Sequence, residues 1–360
     1  VSEVLPTFSR KPLFGYPFVV FSGIAIGFMS WGVWAHHMYT VGLGSVANAA
    51  FGISTILIAV PTGIKIFNWI GTLWGGAINL KTPLYFAAGF ISMFIVGGLT
   101  GVMHSMVPSD YQQQDTYFIV AHFHQVLFGG SIFALFAGIY YWFPKFTGRL
   151  LSEGWGKLHF WLMFIGFNVT FQPMMILGLL GMPRRIYTYP EGLGWEIWNM
   201  IATAGAFMIA ASILVFMFNV FLSLRSKERV GADPWDGRTL EWTIPSPVPA
   251  YNFVTIPRVR ARDDFWLQKY TEDELGRPLP VMAGGAGHQQ EEEQHGEAEG
   301  HHNIHMPSPS YFPLIAALGL PIIGFGLIYQ GDVTWLPLIA VGAVVFLVGL
   351  YGWALEPATE

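Results

Sequence analysis

The sequence predicts an all-α, polytopic membrane helix bundle with about eight transmembrane helices, and three observations carry the prediction. Of 360 residues, 53% are hydrophobic and only 11% charged, with a mean hydropathy of +0.46, which lies well outside the range of soluble domains. Apolar stretches of about 20 residues, enough to cross a bilayer, recur eight times. Charge is segregated: residues 226–308 hold 14 of the 23 acids and 8 of the 18 bases, so the net charge of −5 comes from one polar segment. No basic surface suggests a nucleic-acid partner. With 0 cysteines, a metal must be held by His, carboxylate or amide oxygen.

In chain order the expected spans are residues 15–40, 49–75, 83–105, 117–143, 157–181, 195–224, 310–329 and 334–354. Residues 1–225 then form a six-span bundle, 226–308 a polar, acidic, His-containing cytoplasmic linker, partly disordered, and 309–360 a two-span auxiliary extension. Glu291 to Glu293 and a His-rich run from His288 to His305 lie in that linker. They read as a solvated tail more readily than as a metal site. Val1 to Pro12 lacks the order of regions that a signal peptide needs. Lys and Arg in short loops favour the cytoplasmic side. Placing Arg10 and Lys11 inside also puts Lys81, Lys145, Arg149, Lys157 and Arg225 inside, and both termini with them. Only Arg184 and Arg185 then face out, and two adjacent arginines there call for an anionic partner, a lipid phosphate being the plain alternative.

An ionisable residue inside a span marks a site by default. Trp34-Ala35-His36-His37-Met38 sets two imidazoles near the outer end of the first span. Neighbours on a helix point about 100° apart, so both rings can reach one metal ion lying between them. Copper suits an all-imidazole shell; two interfacial histidines bonded to water or headgroups are the alternative. His122 and His124 on the fourth span point about 200° apart. They cannot share a small ion, yet each can offer a nitrogen to a different planar cofactor, as heme iron accepts an axial His. Two core histidines bonded to serines or carbonyls would look the same. In the second span Pro61, Thr62 and Lys65 place a lysine at mid-membrane beside a rotatable hydroxyl, a pattern that can relay protons. A snorkelling lysine is the plainer reading.

Together, Trp-Ala-His-His, Val-Pro-Thr-Gly-Ile-Lys, Asp-Thr-Tyr-Phe-Ile-Val-Ala-His-Phe-His and Gly-Met-Pro-Arg-Arg resemble subunit I of the heme-copper terminal oxidases, the cytochrome c oxidase family, in order and spacing. The resemblance covers Val1 to about Phe253 and is similar to the family's seventh through twelfth helices. It implies that His36 and His37 ligate copper, that His122 is the axial ligand of a high-spin heme of the A type, and that His124 ligates a low-spin heme. Phe123 would lie between the hemes, and Arg184 and Arg185 would pair with their propionates. Ser2, Thr62 and Lys65 would match the lysine proton path, Asp115 a magnesium ligand, and Asp110 an acid near the propionates. Implied partners are subunit II with a dinuclear copper centre, subunit III, cytochrome c, dioxygen and the lipid of a bacterial plasma membrane.

Two departures stand out: Gln114 occupies the position before Asp115 where the family has histidine, and Glu3 offers a carboxylate at the inner end of the lysine path. The family's remaining copper and heme ligands and its cross-linked tyrosine are expected upstream of Val1. A quinol oxidase is the neighbouring alternative and a nitric oxide reductase a more distant one. Outside the class stand a membrane ion or proton transporter and a non-catalytic heme scaffold.

Overall fold

The computed structural model describes residues 1–272, 278–281, 310–328 and 335–356. The chain divides into two compact units, Val1–Gly285 and Ala286–Glu360. Among the described residues six helices are long and apolar enough to cross a membrane: Ser45–Leu73, Thr82–Ser105, Tyr117–Thr147, Glu153–Leu179, Glu196–Arg225 and Trp335–Ala354. Two shorter apolar helices, Tyr16–Gly32 and Phe312–Ile328, complete the expected eight. The bundle is all-α apart from a short antiparallel pair, β1 (Tyr270–Glu272) with β2 (Pro278–Pro280).

In the first unit a short buried helix, α1 (Val4–Ser9), precedes α2 (Tyr16–Met29). The expected span 15–40 is therefore helical over little more than half its length. Its outer part becomes 3-10 turns, Ser30–Gly32 and Trp34–His37. Hydropathy cannot see that change, because the sequence stays apolar through Trp31, Val33 and Trp34. The second expected span bends at Ile58 into α3 (Ser45–Leu57) and α4 (Ala59–Leu73). Pro61 is the cause: it has no N–H for the Leu57 carbonyl, and its ring crowds that carbonyl. The helices α5 (Thr82–Ser105), the short α6 (Val107–Gln113), α7 (Tyr117–Leu127) and α8 (Phe133–Thr147) follow. A π-helical turn, Phe128–Ile132, joins α7 to α8. Then come α9 (Glu153–Leu179) and α10 (Glu196–Arg225).

Aromatic rings from α5, α8 and α9, among them Phe86, Phe133, Phe160 and Phe167, form the core. Small and polar residues face inward on α10, with Ala202, Gly205, Ser212, Asn219 and Ser223 buried, while Phe207, Leu214 and Met217 face outward. That is the membrane pattern, since lipid solvates large apolar side chains and helices approach through small ones. Asn219 fixes the turn before α9, its amide bonding both the N–H and the C=O of Ser152.

Residues 226–272 are not a free linker. Trp235 donates to the Tyr141 carbonyl and Trp242 to the Tyr141 hydroxyl, both in α8. Arg10 pairs with Asp236 at 2.8 Å, and Lys269 bridges Asp233 and Asp236. The polar composition reflects this ion-pair lattice. The short helix α11 (Asp264–Lys269) belongs to it, and the first unit extends to Gly285. His288 to His305 and Glu291 to Glu293 lie outside the described residues. Lys145 is only 4% exposed and donates to the carbonyls of Ala232 and Ile244 at 2.8 and 2.7 Å, over the Trp242 ring. Lys145→Met strands both carbonyls and should cost about 2–4 kcal/mol, at the scale of charged hydrogen bonds. Limited proteolysis should then cut residues 230–250 under conditions that leave the parent intact; equal resistance would show that the clamp is dispensable.

In the second unit, α12 (Phe312–Ile328) and α13 (Trp335–Ala354) pack antiparallel through glycines. A Cβ at Gly319 would collide with the backbone of Gly342 and Phe346, and one at Gly342 with that of Ile323. The close approach requires glycine at both positions.

Candidate functional site

A cavity of about 770 Å³ opens among α4, α5, α7 and the 3-10 turn Trp34–His37. Its walls are mostly apolar, and four imidazoles line it, from His36, His37, His104 and His122, together with Asp110, Gln114 and Arg184.

His36 and His37 both line the cavity from the 3-10 turn Trp34–His37. Their Nε2 atoms lie 2.9 Å apart. At about 2.0 Å from each, a usual imidazole–metal distance, both nitrogens can bind one ion. His36 Nδ1 lies 3.2 Å from the Thr55 hydroxyl, a partner that leaves Nε2 free for a metal. The sequence reading placed the pair on an α-helix, with the rings about 100° apart; the pair stands instead on a 3-10 turn, with the ring centroids 4.1 Å apart.

His122 and His124 part as their spacing requires. His122 lines the cavity, with Nδ1 2.9 Å from the Thr100 hydroxyl of α5. Gly101, on the next step of α5, lets the two helices meet, since a Cβ there would sit 3.2 Å from the His122 ring. His124 turns away from this cavity. Its Nδ1 donates to the Val120 carbonyl at 2.8 Å, and its ring stacks on Phe171 of α9 at 4.3 Å. Phe123 lines the cavity and stacks on His124 at 4.5 Å, so it lies between the two histidine environments.

Thr62 lines the cavity and donates through its hydroxyl to the Ile58 carbonyl. Lys65 sits one turn further from it, half-buried, its ammonium 5.7 Å from the Trp69 ring and beside Gly23 of α2. Trp69 in turn donates to the Ser2 hydroxyl at 2.9 Å. Trp69 thus joins Lys65 to Ser2, and Thr62 shares α4 with Lys65 and Trp69. Glu3, next to Ser2, is exposed yet partly desolvated, and its carboxyl is pushed above the usual range by burial first and by the charge of Glu241 second.

Between the turn entering α7 and the turn leaving α9, Arg184 donates through Nε and Nη2 to Asp115 Oδ1, both at 2.7 Å. The backbone reinforces the pair: Arg184 N–H bonds the Asp115 carbonyl, and Thr116 bridges Pro183 as a short β-contact. The turn leading into α7 is thereby tied to the turn leaving α9. Arg185 is exposed, in the left-handed region at φ 67°, and does not line the cavity. Asp110 is buried and faces His104.

Sequence reasoning missed two buried histidines, His104 and His159. Both lie inside apolar spans and meet the test applied to the other four. His159 is fully buried, with Nδ1 3.1 Å from the Tyr140 hydroxyl in a cage of aromatic rings.

Residues 1–208, which carry all of these groups, match the family described as cytochrome c and quinol oxidase polypeptide I. The chain belongs to that family. It is 47% identical over 352 residues to cytochrome c oxidase subunit 1 of Bacillus sp. (strain PS3), covering 97% of this chain and 54% of that protein. It is 52% identical to the same subunit of Synechocystis sp. over 80% of its own length and 52% of the relative's. A quinol oxidase subunit 1 from Bacillus subtilis is 42% identical over 91% of this chain and 48% of the relative. The chain therefore spans about half the length of the curated relatives it matches. A heme-copper terminal oxidase dimer solved by cryo-EM shares the fold, with a TM-score of 0.56 and 19% identity, over 63% of this chain and 45% of that one. The polypeptide I family member described here is a multi-pass membrane protein with an oxidase-type helix bundle.

Proposed function

We propose that this chain forms part of the catalytic subunit of a bacterial terminal oxidase that reduces dioxygen to water, with electrons from cytochrome c. The single observation that supports it most is the convergence of His36 and His37 Nε2, 2.9 Å apart, on the cavity that His122 lines.

The donor set fits the implied groups. Three imidazoles and no thiolate suit copper and an axially ligated heme, and the glycine at position 101 leaves the face of His122 uncrowded. When bound, a high-spin heme of the A type and copper supply the redox metals at which dioxygen is reduced. His36 and His37 would hold the copper, with Thr55 as the partner of His36 Nδ1. His122, bonded through Nδ1 to Thr100, would serve the high-spin heme, and His124, which faces Phe171, would serve a low-spin heme. Arg184 and Arg185 supply positive charge for propionates, Asp115 keeping Arg184 extended. Magnesium does not fit as well: a cation at Asp115 must displace the guanidinium from Oδ1, and among the described residues no three His, Asp or Glu groups gather around a cation position.

Proton delivery falls to Glu3, Ser2, Lys65 and Thr62. An uncompensated charge in hydrocarbon costs several kcal/mol, so a proton held at Lys65 or Thr62 would offset negative charge added to the cavity. Lys65→Met should slow reduction of the high-spin heme by about 100-fold, in line with the 10²–10⁴-fold contribution of a positioned proton-transfer group, while copper and heme contents hold. Stopped-flow absorbance reads this directly, and an unchanged rate removes Lys65 from the path.

The likeness to a quinol oxidase subunit 1 supports a second reading, in which a quinol is the donor. In the first, the partners are subunit II with its dinuclear copper centre, subunit III and cytochrome c. The basic residues Arg10, Lys11, Lys81, Lys145, Arg149 and Lys157 at one set of helix ends support cytoplasmic termini in a bacterial plasma membrane. Metal analysis with reduced-minus-oxidised and carbon monoxide difference spectra on the complex containing this chain tests the proposal. Two hemes and copper are expected, with one heme binding carbon monoxide; no heme would overturn it in favour of an ion transporter.

A further inference from the structure

His104 closes the last turn of α5 and is used by none of the assignments above. Its ring lies 4.8 Å from the His122 ring at 59° and meets Phe118 edge-on at 5.3 Å. The side chain is 11% exposed, and both ring nitrogens are buried without a hydrogen-bond partner. Nδ1 stops 3.7 Å from Asp110 Oδ1, beyond hydrogen-bond reach but close enough for a small ring rotation to close the gap. An imidazole buried so incompletely satisfied is costly, and a leucine would fill the same space without that cost.

The face of α5 explains the arrangement. Gly97, Thr100, Gly101 and His104 follow one another at the three- and four-residue steps that keep side chains on one side of a helix. Three of the four act on His122: Thr100 bonds its Nδ1 at 2.9 Å, Gly101 leaves room on one flank, and His104 walls the other. A single hydrogen bond fixes one point of an imidazole and leaves the ring free to swing about it. A flat neighbour on one flank removes that freedom.

We propose that His104 is a positioning residue that sets the plane of His122, with Asp110 anchoring the His104 ring from α6. The proposal rests on the reading of His122 as an axial heme ligand. The His104 ring limits rotation of His122 about its nitrogen–metal direction, and the buried carboxylate of Asp110 keeps the His104 ring upright against it.

The test is resonance Raman spectroscopy of the reduced oxidase complex, read at the iron–histidine stretching band, in parent, His104→Ala, His104→Leu and His104→Phe forms. Alanine and leucine, which lack a flat face, are expected to broaden and shift the band at unchanged heme and copper content. Phenylalanine, which restores the wall without the nitrogens, should return it close to the parent position. The leucine form, which keeps the bulk, carries the comparison if the alanine form does not assemble. An alanine or leucine band identical to the parent's overturns the proposal, as does a phenylalanine form no closer to the parent than alanine. A parent complex lacking any iron–histidine band would overturn instead the reading of His122 on which the proposal stands.

Discussion

Oxidase carrying His36→Asn or His37→Asn is expected to lose copper and oxygen consumption together while both hemes keep their spectra. The geometry makes the two histidines a unit, because their Nε2 atoms face each other across 2.9 Å and neither ring has a protein carboxylate bonded to it that could substitute as a ligand. Asparagine is too short to reach the same point and offers a harder donor. Since loss of an outer hydrogen-bond partner already weakens a metal site about 10–100-fold, loss of a ligand should cost at least about 100-fold in turnover. Thr55→Val, which removes only the partner of His36 Nδ1, should fall in the milder range. Copper measured against heme in the purified complex decides the matter. Full copper in either asparagine form would take the pair out of the metal site.

The second large effect concerns α7. His122→Asn should abolish the carbon monoxide response yet leave the low-spin band in place, and His124→Asn should do the reverse. The basis is orientation: His122 faces the cavity and Thr100, whereas His124 faces Phe171 on the other side. In the proposed function each cofactor site then has its own histidine on one helix, with Phe123 between the two in sequence. Paired difference spectra check both variants at once. If either substitution erased both bands, the two histidines would be acting through one shared structure, and the two-sided reading of the helix would fail.

Much of this was legible from the chain alone, for identifiable reasons. Spans announce themselves through length and hydropathy, and all eight expected stretches contain helices. The i, i+2 spacing of His122 and His124 dictates opposite faces whatever surrounds them. Backbone irregularity was not legible: the 3-10 turn that carries His36 and His37 is as apolar as the helix it replaces. The pairing of Arg184 with Asp115 joins residues far apart in sequence, so it could not be read from either motif. Composition misled over residues 226–272, where alternating charges look solvated until Lys269 is seen between Asp233 and Asp236. His104 was overlooked for a simpler reason, since it lies at the margin of its span, where an imidazole passes for an interfacial residue.

The wide turn Phe128–Ile132 gives the long helix Tyr117–Thr147 a degree of slack. A π turn accommodates one residue more than an α turn, and such bulges cluster near functional positions. Removing one residue there lets the turn tighten into ordinary α-helix, so that His122 and His124 above it and Tyr140 and Tyr141 below keep their bearings. Removing one residue elsewhere in the same helix rotates one half against the other by about 100° and swings the histidines out of line. Among the described residues, that turn is where a lineage can change the length of this helix by one residue and leave its histidines aimed as before.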